Sequence, residues 1–152
     1  MNQQVSPAFW QAVEQFNQQQ FYACHDTLEA LWFESSDPLK TFYQGILQIA
    51  VALHHLENAN WRGAAILLGE GMRKLKSLPS DYAGIDIIQL IQQSAEVLNA
   101  LQQGAPDWLA EPAGTLTSIT AAEQYRPKLP ALPRILRISP GGDRSSPGST
   151  NF

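Results

Sequence analysis

His25, Glu29 and Trp32 stand at i, i+4 and i+7 in the segment His25-Asp26-Thr27-Leu28-Glu29-Ala30-Leu31-Trp32. In a helix that spacing puts the three side chains along one stripe. A histidine and a carboxylate four residues apart can share a hydrogen bond, grip a metal from one face, or relay a proton. His25 and Glu29 are therefore the candidate catalytic pair, His25 as general base and Glu29 as the group that orients it. Asp26 lies about 100° further round the helix and is expected to point away from His25. A second polar set follows in Tyr43-Gln44-Gly45-Ile46-Leu47-Gln48, where Gln44, Gln48 and His55 form a polar stripe opposite Ile46 and Ile49. A buried polar group without a partner costs about 1–3 kcal/mol, so the two sets are expected to meet. The candidate binding residues are His25, Asp26, Glu29, Trp32, Tyr43, Gln44 and Gln48. The favoured reading of His25 with Glu29 is a buried hydrogen-bonded pair that fixes how two helices dock. His25 has no second histidine three or four residues away and there is no cysteine pair, so neither a metal nor a cofactor is expected.

These residues need helices to position them. Apolar residues recur at helical spacing through residue 103, and no stretch alternates apolar with polar as a strand would. Ser6 and Pro7 suit the N-cap and N1 of a first helix that ends near Asn17. A second helix is predicted over 21–34. Asp37 and Pro38 are read as the cap and first residue of a third, which runs to 57. The fourth is predicted over 61–78 and the fifth over 85–103. In the fourth, Gly63, Gly69 and Gly71 are read as points of close backbone approach. Thr41 to Leu56 holds no Asp, Glu, Lys or Arg, which marks the third helix as the central one. Short connections imply antiparallel neighbours. The expected fold is all-α, a compact antiparallel bundle of four to five helices with an extended Pro-rich C-terminal tail. Asn17 to Cys24 and Asn58 to Ala65 both read as a polar turn, an aromatic, then small residues entering a helix, a weak internal repeat.

Most of the ten prolines fall after Gly104, which divides the chain into a helical bundle over 1–104, an extended Pro-rich segment over 105–138 and a tail over 139–152. The middle segment is expected to lay residues 125–138 back over the bundle. The Gly, Ser and Pro content of the tail predicts disorder.

Composition narrows the function classes. The chain has 152 residues, 44% of them hydrophobic, enough for one core. Fourteen acids against ten bases give a net charge of −4, and the acidic excess lies in the bundle, which argues against nucleic acid as a partner. The longest uncharged stretch is too short and too polar for a membrane span. One cysteine, Cys24, and no basic-then-apolar start point to a reducing, cytoplasmic setting. Cys24 falls in an apolar stripe and reads as a core residue.

Phe16-Asn17, Phe21-Tyr22, His25-Asp26-x-x-Glu29-x-x-Trp32, Phe42 to Ala50 and Asn60-Trp61-Arg62-Gly63-Ala64, in that order and spacing, resemble domain-of-unknown-function family 309. The similarity covers about residues 8–78. It implies an all-helical bundle and an intracellular protein, and no established activity. The family pattern usually has Glu directly after the histidine, where this chain has Asp26, and often a basic residue before the Tyr-Gln-Gly run, for which Lys40 stands here.

The function expected is a noncatalytic binding or scaffold module, with an acidic groove between helices as its contact surface and a protein or a small polar ligand as its partner. The alternative is a small hydrolase-like enzyme using His25 and Glu29 as an acid–base pair, possibly metal-assisted. The absence of an independent nucleophile or oxyanion donor favours the module.

Overall fold

The structure, a computed structural model, describes residues 5–103 and 127–138. Gly104 with its expected capping role, the linker up to 126 and the tail from 139 onward lie outside the described residues. Among the described residues, five α-helices follow one another: α1 (Pro7–Asn17), α2 (Phe21–Glu34), α3 (Leu39–Glu57), α4 (Trp61–Lys76) and α5 (Ile87–Gln102). Consecutive helices pack on each other, most extensively α3 with α4 and α2 with α3, and the fold is the expected all-α bundle.

Local chemistry sets the helix ends. Ser6 caps α1, its Oγ accepting the Ala8 N–H at 3.1 Å, with Pro7 at the first helical position. Asn60 and Asp86 cap α4 and α5 in the same manner, through Gly63 and Gln89. Asp37 is not the cap of α3. That place falls to Pro38, because the turn at 37–38 delays the helix by one residue, and the Asp37 carboxylate instead accepts the Thr41 N–H and hydroxyl at 3.0 and 2.6 Å. The fifth helix starts two residues later than predicted. A short 3₁₀ turn, Tyr82–Gly84, precedes it, and Ile85 is drawn into an isolated antiparallel bridge with Arg137.

The two similar hairpin sequences have the same backbone. Gln19 and Ala59 are left-handed, at φ 62° and 59°. Each is followed by a residue of matching conformation, Gln20 at φ −93°, ψ 69° and Asn60 at φ −89°, ψ 76°. Each turn then delivers a buried aromatic, Phe21 or Trp61, as the first residue of the next helix.

Helix α3 is the centre of the core. Phe42, Ile46, Ile49 and Leu53 are fully buried along it. Phe9 of α1 meets Phe42 and Tyr43, with ring centroids 5.3 and 5.8 Å apart. Against α4 the packing tightens to backbone contact. A Cβ added at Gly71 would sit 2.7 Å from the Gly45 carbonyl oxygen and 2.7 Å from Ile49 Cγ1, and one added at Gly45 would meet Leu75 at 2.8 Å. A Cβ at Gly69 would meet nothing within 4 Å, and the nearest atoms to one at Gly63 belong to its own capping residue Asn60. Of the three α4 glycines read as points of close approach, Gly71 alone meets a neighbouring helix.

Residues 127–138 run over the bundle in extended form. The Asn17 side chain donates to the Ile135 carbonyl at 2.9 Å and accepts its N–H at 2.8 Å, which seats Ile135 in the core. The Arg137 guanidinium lies 4.1 Å over the Trp10 ring. No described helix is long and apolar enough to cross a membrane.

The glycine contacts predict opposite outcomes for two substitutions on one helix. Gly71→Ala forces α3 and α4 apart and should cost about 2 kcal/mol, as overpacking does. Gly69→Ala should stabilise by up to about 1 kcal/mol through helix propensity alone. Thermal denaturation of both variants checks the pair; equal shifts would rule out the backbone contact.

Candidate functional site

A cleft of about 310 Å³ opens between α2, α3 and α4, lined by Glu29, Trp32, Gln44, Leu47, Gln48, Val51 and Leu67. Its floor is a single stripe of α3: residues 44, 47, 48 and 51 stand at i, i+3, i+4 and i+7. α2 contributes one wall with Glu29 and Trp32, and α4 contributes Leu67. The volume lies at the lower end of the roughly 300–1,000 Å³ typical of small-molecule sites.

Two polar atoms of lining residues are shut off from solvent without a protein hydrogen-bond partner: Nε1 of Trp32 and Oε1 of Gln48. An indole N–H can only donate, and a carboxamide oxygen can only accept. Turning the Gln48 amide over would strand its nitrogen in the same place. Since native folds pair most buried polar groups, such atoms call for an explanation.

Trp32 is fixed from outside the cleft. The Lys40 ammonium donates to the Trp32 carbonyl at 3.2 Å and lies 4.2 Å from the centre of its ring. The carbonyl belongs to the last turn of α2, where a cation also complements the helix dipole. Lys40, which stands three residues before Tyr43 of the Tyr-Gln-Gly run, braces one cleft wall.

Of the seven residues expected to form the site, Glu29, Trp32, Gln44 and Gln48 line this cleft. Tyr43 does not. It is fully buried beside Phe9 and Phe42, and burial pushes its hydroxyl above the ordinary phenol range, a rise opposed by a backbone hydrogen bond at Ser6. Tyr43 and Gln44 are neighbours in sequence and therefore about 100° apart around α3, so one enters the core while the other enters the cleft.

His25 and Asp26 stand outside the cleft lining. The expected buried His25–Glu29 pair does not form: Glu29 is exposed, and the His25 Nδ1 lies 3.2 Å from the Asp26 carboxylate. Helix α2 is packed by α1 and α3, and the face bearing Asp26, Glu29 and Ala30 is open to solvent. Asp26 was expected to point away from His25. The angular separation of adjacent residues holds at Cβ, but both side chains are long enough to bend together. One ligand atom from each of His25, Asp26 and Glu29 lies within 4.8 Å of the others, a spacing a metal ion could bridge. Tyr22 lies at a tilt against both His25 and His54, with ring centroids 5.8 and 5.5 Å apart.

His55, expected beside Gln44 and Gln48, belongs instead to the α3–α4 turn, its Nδ1 3.4 Å from the Asn60 amide. Burial, then repulsion from His54, lowers its pKa. Cys24 is fully buried, and desolvation raises its thiol to about 12, so it is no nucleophile. Leu47, Val51 and Leu67 were missed as lining residues. For the first two the signal was available: they complete the α3 stripe begun by Gln44 and Gln48. Leu67 had none, because only the crossing of α4 over α3 brings it there.

The comparisons with known proteins concern the segment that builds this cleft. Residues 9–67 match DUF309, a domain of unknown function. The resemblance carried by the His25 to Trp32 segment and the Tyr43-Gln44-Gly45 run therefore holds. An uncharacterised protein of Aquifex aeolicus is 26% identical over 92 residues, covering 60% of this chain and 28% of that protein. The uncharacterised protein YpuF of Bacillus subtilis is 35% identical over 91 residues, 53% of this chain and 51% of YpuF. The chain spans about half or less of the length of these relatives.

The lowered His55 pKa has a defined consequence. The unfolded chain binds that proton more readily than the native one, so His55 favours folding fully above the unfolded value of 6.5, and the contribution falls as pH drops through it. Melting temperature should therefore decline from about pH 7.5 to about pH 5.5, and His55→Asn should flatten the decline. An identical slope in the variant would contradict this role.

Proposed function

We propose that the protein is a noncatalytic binding module that takes a small ligand, apolar in body and polar at one end, in the cleft between α2, α3 and α4. The reading rests on one observation: an indole donor and an amide acceptor, both buried and both unpaired, belong to lining residues of one cleft. Leaving two such atoms unsatisfied costs the fold about 1–3 kcal/mol each. A ligand that draws these two side chains toward the cleft would complete their hydrogen bonds, and relief of that cost is what supports the reading. Leu47, Val51 and Leu67 supply the apolar contact, and Lys40 holds Trp32 ready. A cytoplasmic setting belongs to the same proposal.

The hydrolase alternative draws support from the closeness of His25 to Glu29, which lines the cleft. It is the weaker reading. None of the lining residues carries a hydroxyl or thiol. The nearby Thr27 hydroxyl is spent on Gln15 and the Ala23 carbonyl.

Gln48→Leu tests the binding reading through two opposed effects. Removing the orphaned amide should raise stability by about 1 kcal/mol while abolishing ligand response. Response is read from the Trp32 indole N–H resonance during titration with a panel of small amides, alcohols, amines and carboxylates. A cleft-filling Val51→Phe variant should silence the same resonance. If no probe moves it in the wild type, or if the movement survives both substitutions, the cleft is not a binding site.

A further inference from the structure

The open face of α2 carries a side-chain cluster outside the cleft. His25, Asp26 and Glu29 bring one ligand atom each within 4.8 Å of one another, and the His25 Nδ1 lies 3.2 Å from the Asp26 Oδ1. Two donors on one tetrahedral ion, each about 2.0–2.2 Å from it, stand about 3.3–3.6 Å apart. The His25–Asp26 pair thus has nearly that separation already. Glu29 is exposed and lies one turn beyond His25 on the same stripe, so a change of rotamer closes the remaining gap. No metal was expected at this segment, which has neither a second histidine at helical spacing nor a cysteine pair. The third ligand is Asp26 instead, bent round to His25. Among the described residues, neither Asp26 nor Glu29 pairs with a lysine or an arginine, and two uncompensated carboxylates at this spacing favour a cation between them. The Tyr22 ring packs against the imidazole and leaves the His25 side chain 27% exposed against 61% for Asp26, so the nitrogen ligand is partly fixed in place before any ion arrives. One imidazole and two carboxylates make a nitrogen–oxygen set. Imidazole suits zinc, copper, iron and nickel, whereas magnesium and calcium take oxygen ligands. Cys24, the one thiol of the chain, is sealed in the core, so no sulfur joins the set.

We propose that His25, Asp26 and Glu29 hold a divalent transition-metal ion of the zinc class on the open face of α2. Three protein ligands leave at least one coordination position to water. Glu29 also lines the cleft, which places the ion beside the cleft's edge, and its binding does not depend on any ligand inside the cleft.

Titration of the full chain with Zn²⁺ by calorimetry, and with Co²⁺ by visible absorption and NMR, tests the site. Zn²⁺ should bind and raise the melting temperature, as any ligand of the native state does. Co²⁺ should broaden the backbone amide resonances of residues 25–29 before those around His54 and His55. Asp26→Asn and Glu29→Gln, both at exposed positions, should each weaken Zn²⁺ about tenfold or more, and His25→Ala at least as much. The two carboxamides keep the shape of the side chains they replace, so lost binding in them reports a lost ligand and not a lost fold. His54→Asn, which alters the other histidine against Tyr22, should leave Zn²⁺ binding unchanged. Failure of Zn²⁺ to bind, binding that survives His25→Ala combined with Asp26→Asn, or binding that follows His54 instead overturns the site. Displacement of Zn²⁺ by an equal concentration of Mg²⁺ or Ca²⁺ overturns the metal class. No organic probe enters these measurements, so their failure and that of the cleft as a binding site are read separately.

Discussion

The rest of the molecule hangs on the backbone contact between Gly45 of α3 and Gly71 of α4. With no Cβ on either residue, the Gly45 carbonyl can approach the Gly71 Cα, and Leu75 can settle onto Gly45. Any side chain at Gly71 would strike backbone, which cannot yield as the end of a flexible side chain can. The closeness of this crossing lets α4 cover one flank of α3 while α2 covers another. Leu67 lies one turn before Gly71, on the same side of α4, and so reaches the cleft that α3 floors.

Packing around α3 divides its residues by environment. Phe42, Ile46, Ile49 and Leu53 hold the bundle together, and Tyr43 belongs to the same core through Phe9. Gln44, Leu47, Gln48 and Val51 face the gap between α2 and α4. An uncharged helix thus carries a core face and a cleft face, and its lack of charge serves both. Lys40, in the first turn of α3, reaches back to the end of α2 and holds Trp32 at the rim of that gap. The carbonyl and the ring of Trp32 are both engaged by one ammonium.

The matching turns of the α1–α2 and α3–α4 hairpins give the bundle an internal echo. In each, a left-handed residue without a glycine reverses the chain, and an aromatic locks the second helix into the core. The hairpins are not equivalent in use, since the cleft draws on the second helix of one and both helices of the other. The 127–138 segment bonds to Asn17 at the end of α1 and to the turn before α5, tying sequence-distant parts of the bundle together.

Helix existence and most helix ends were legible in the sequence, because periodicity, caps and proline act over a few residues. Ser6-Pro7 and the polar turn before Phe21 are local signals with local effects. The residues of the candidate site were legible only as types. Glu29, Trp32, Gln44 and Gln48 could be named as polar or aromatic residues on two adjoining helices, yet the same reasoning wrongly grouped Tyr43 with them and buried His25 against Glu29. The sequence by itself determined the helical class, the central place of α3 and the polar stripe upon it, since each follows from spacing along one helix. Which side of α2 remained open, which glycine met a backbone, and which polar atoms were sealed without partners were decided by the tertiary structure. Those outcomes depend on where a second and a third helix lie, and no periodicity within one helix encodes that.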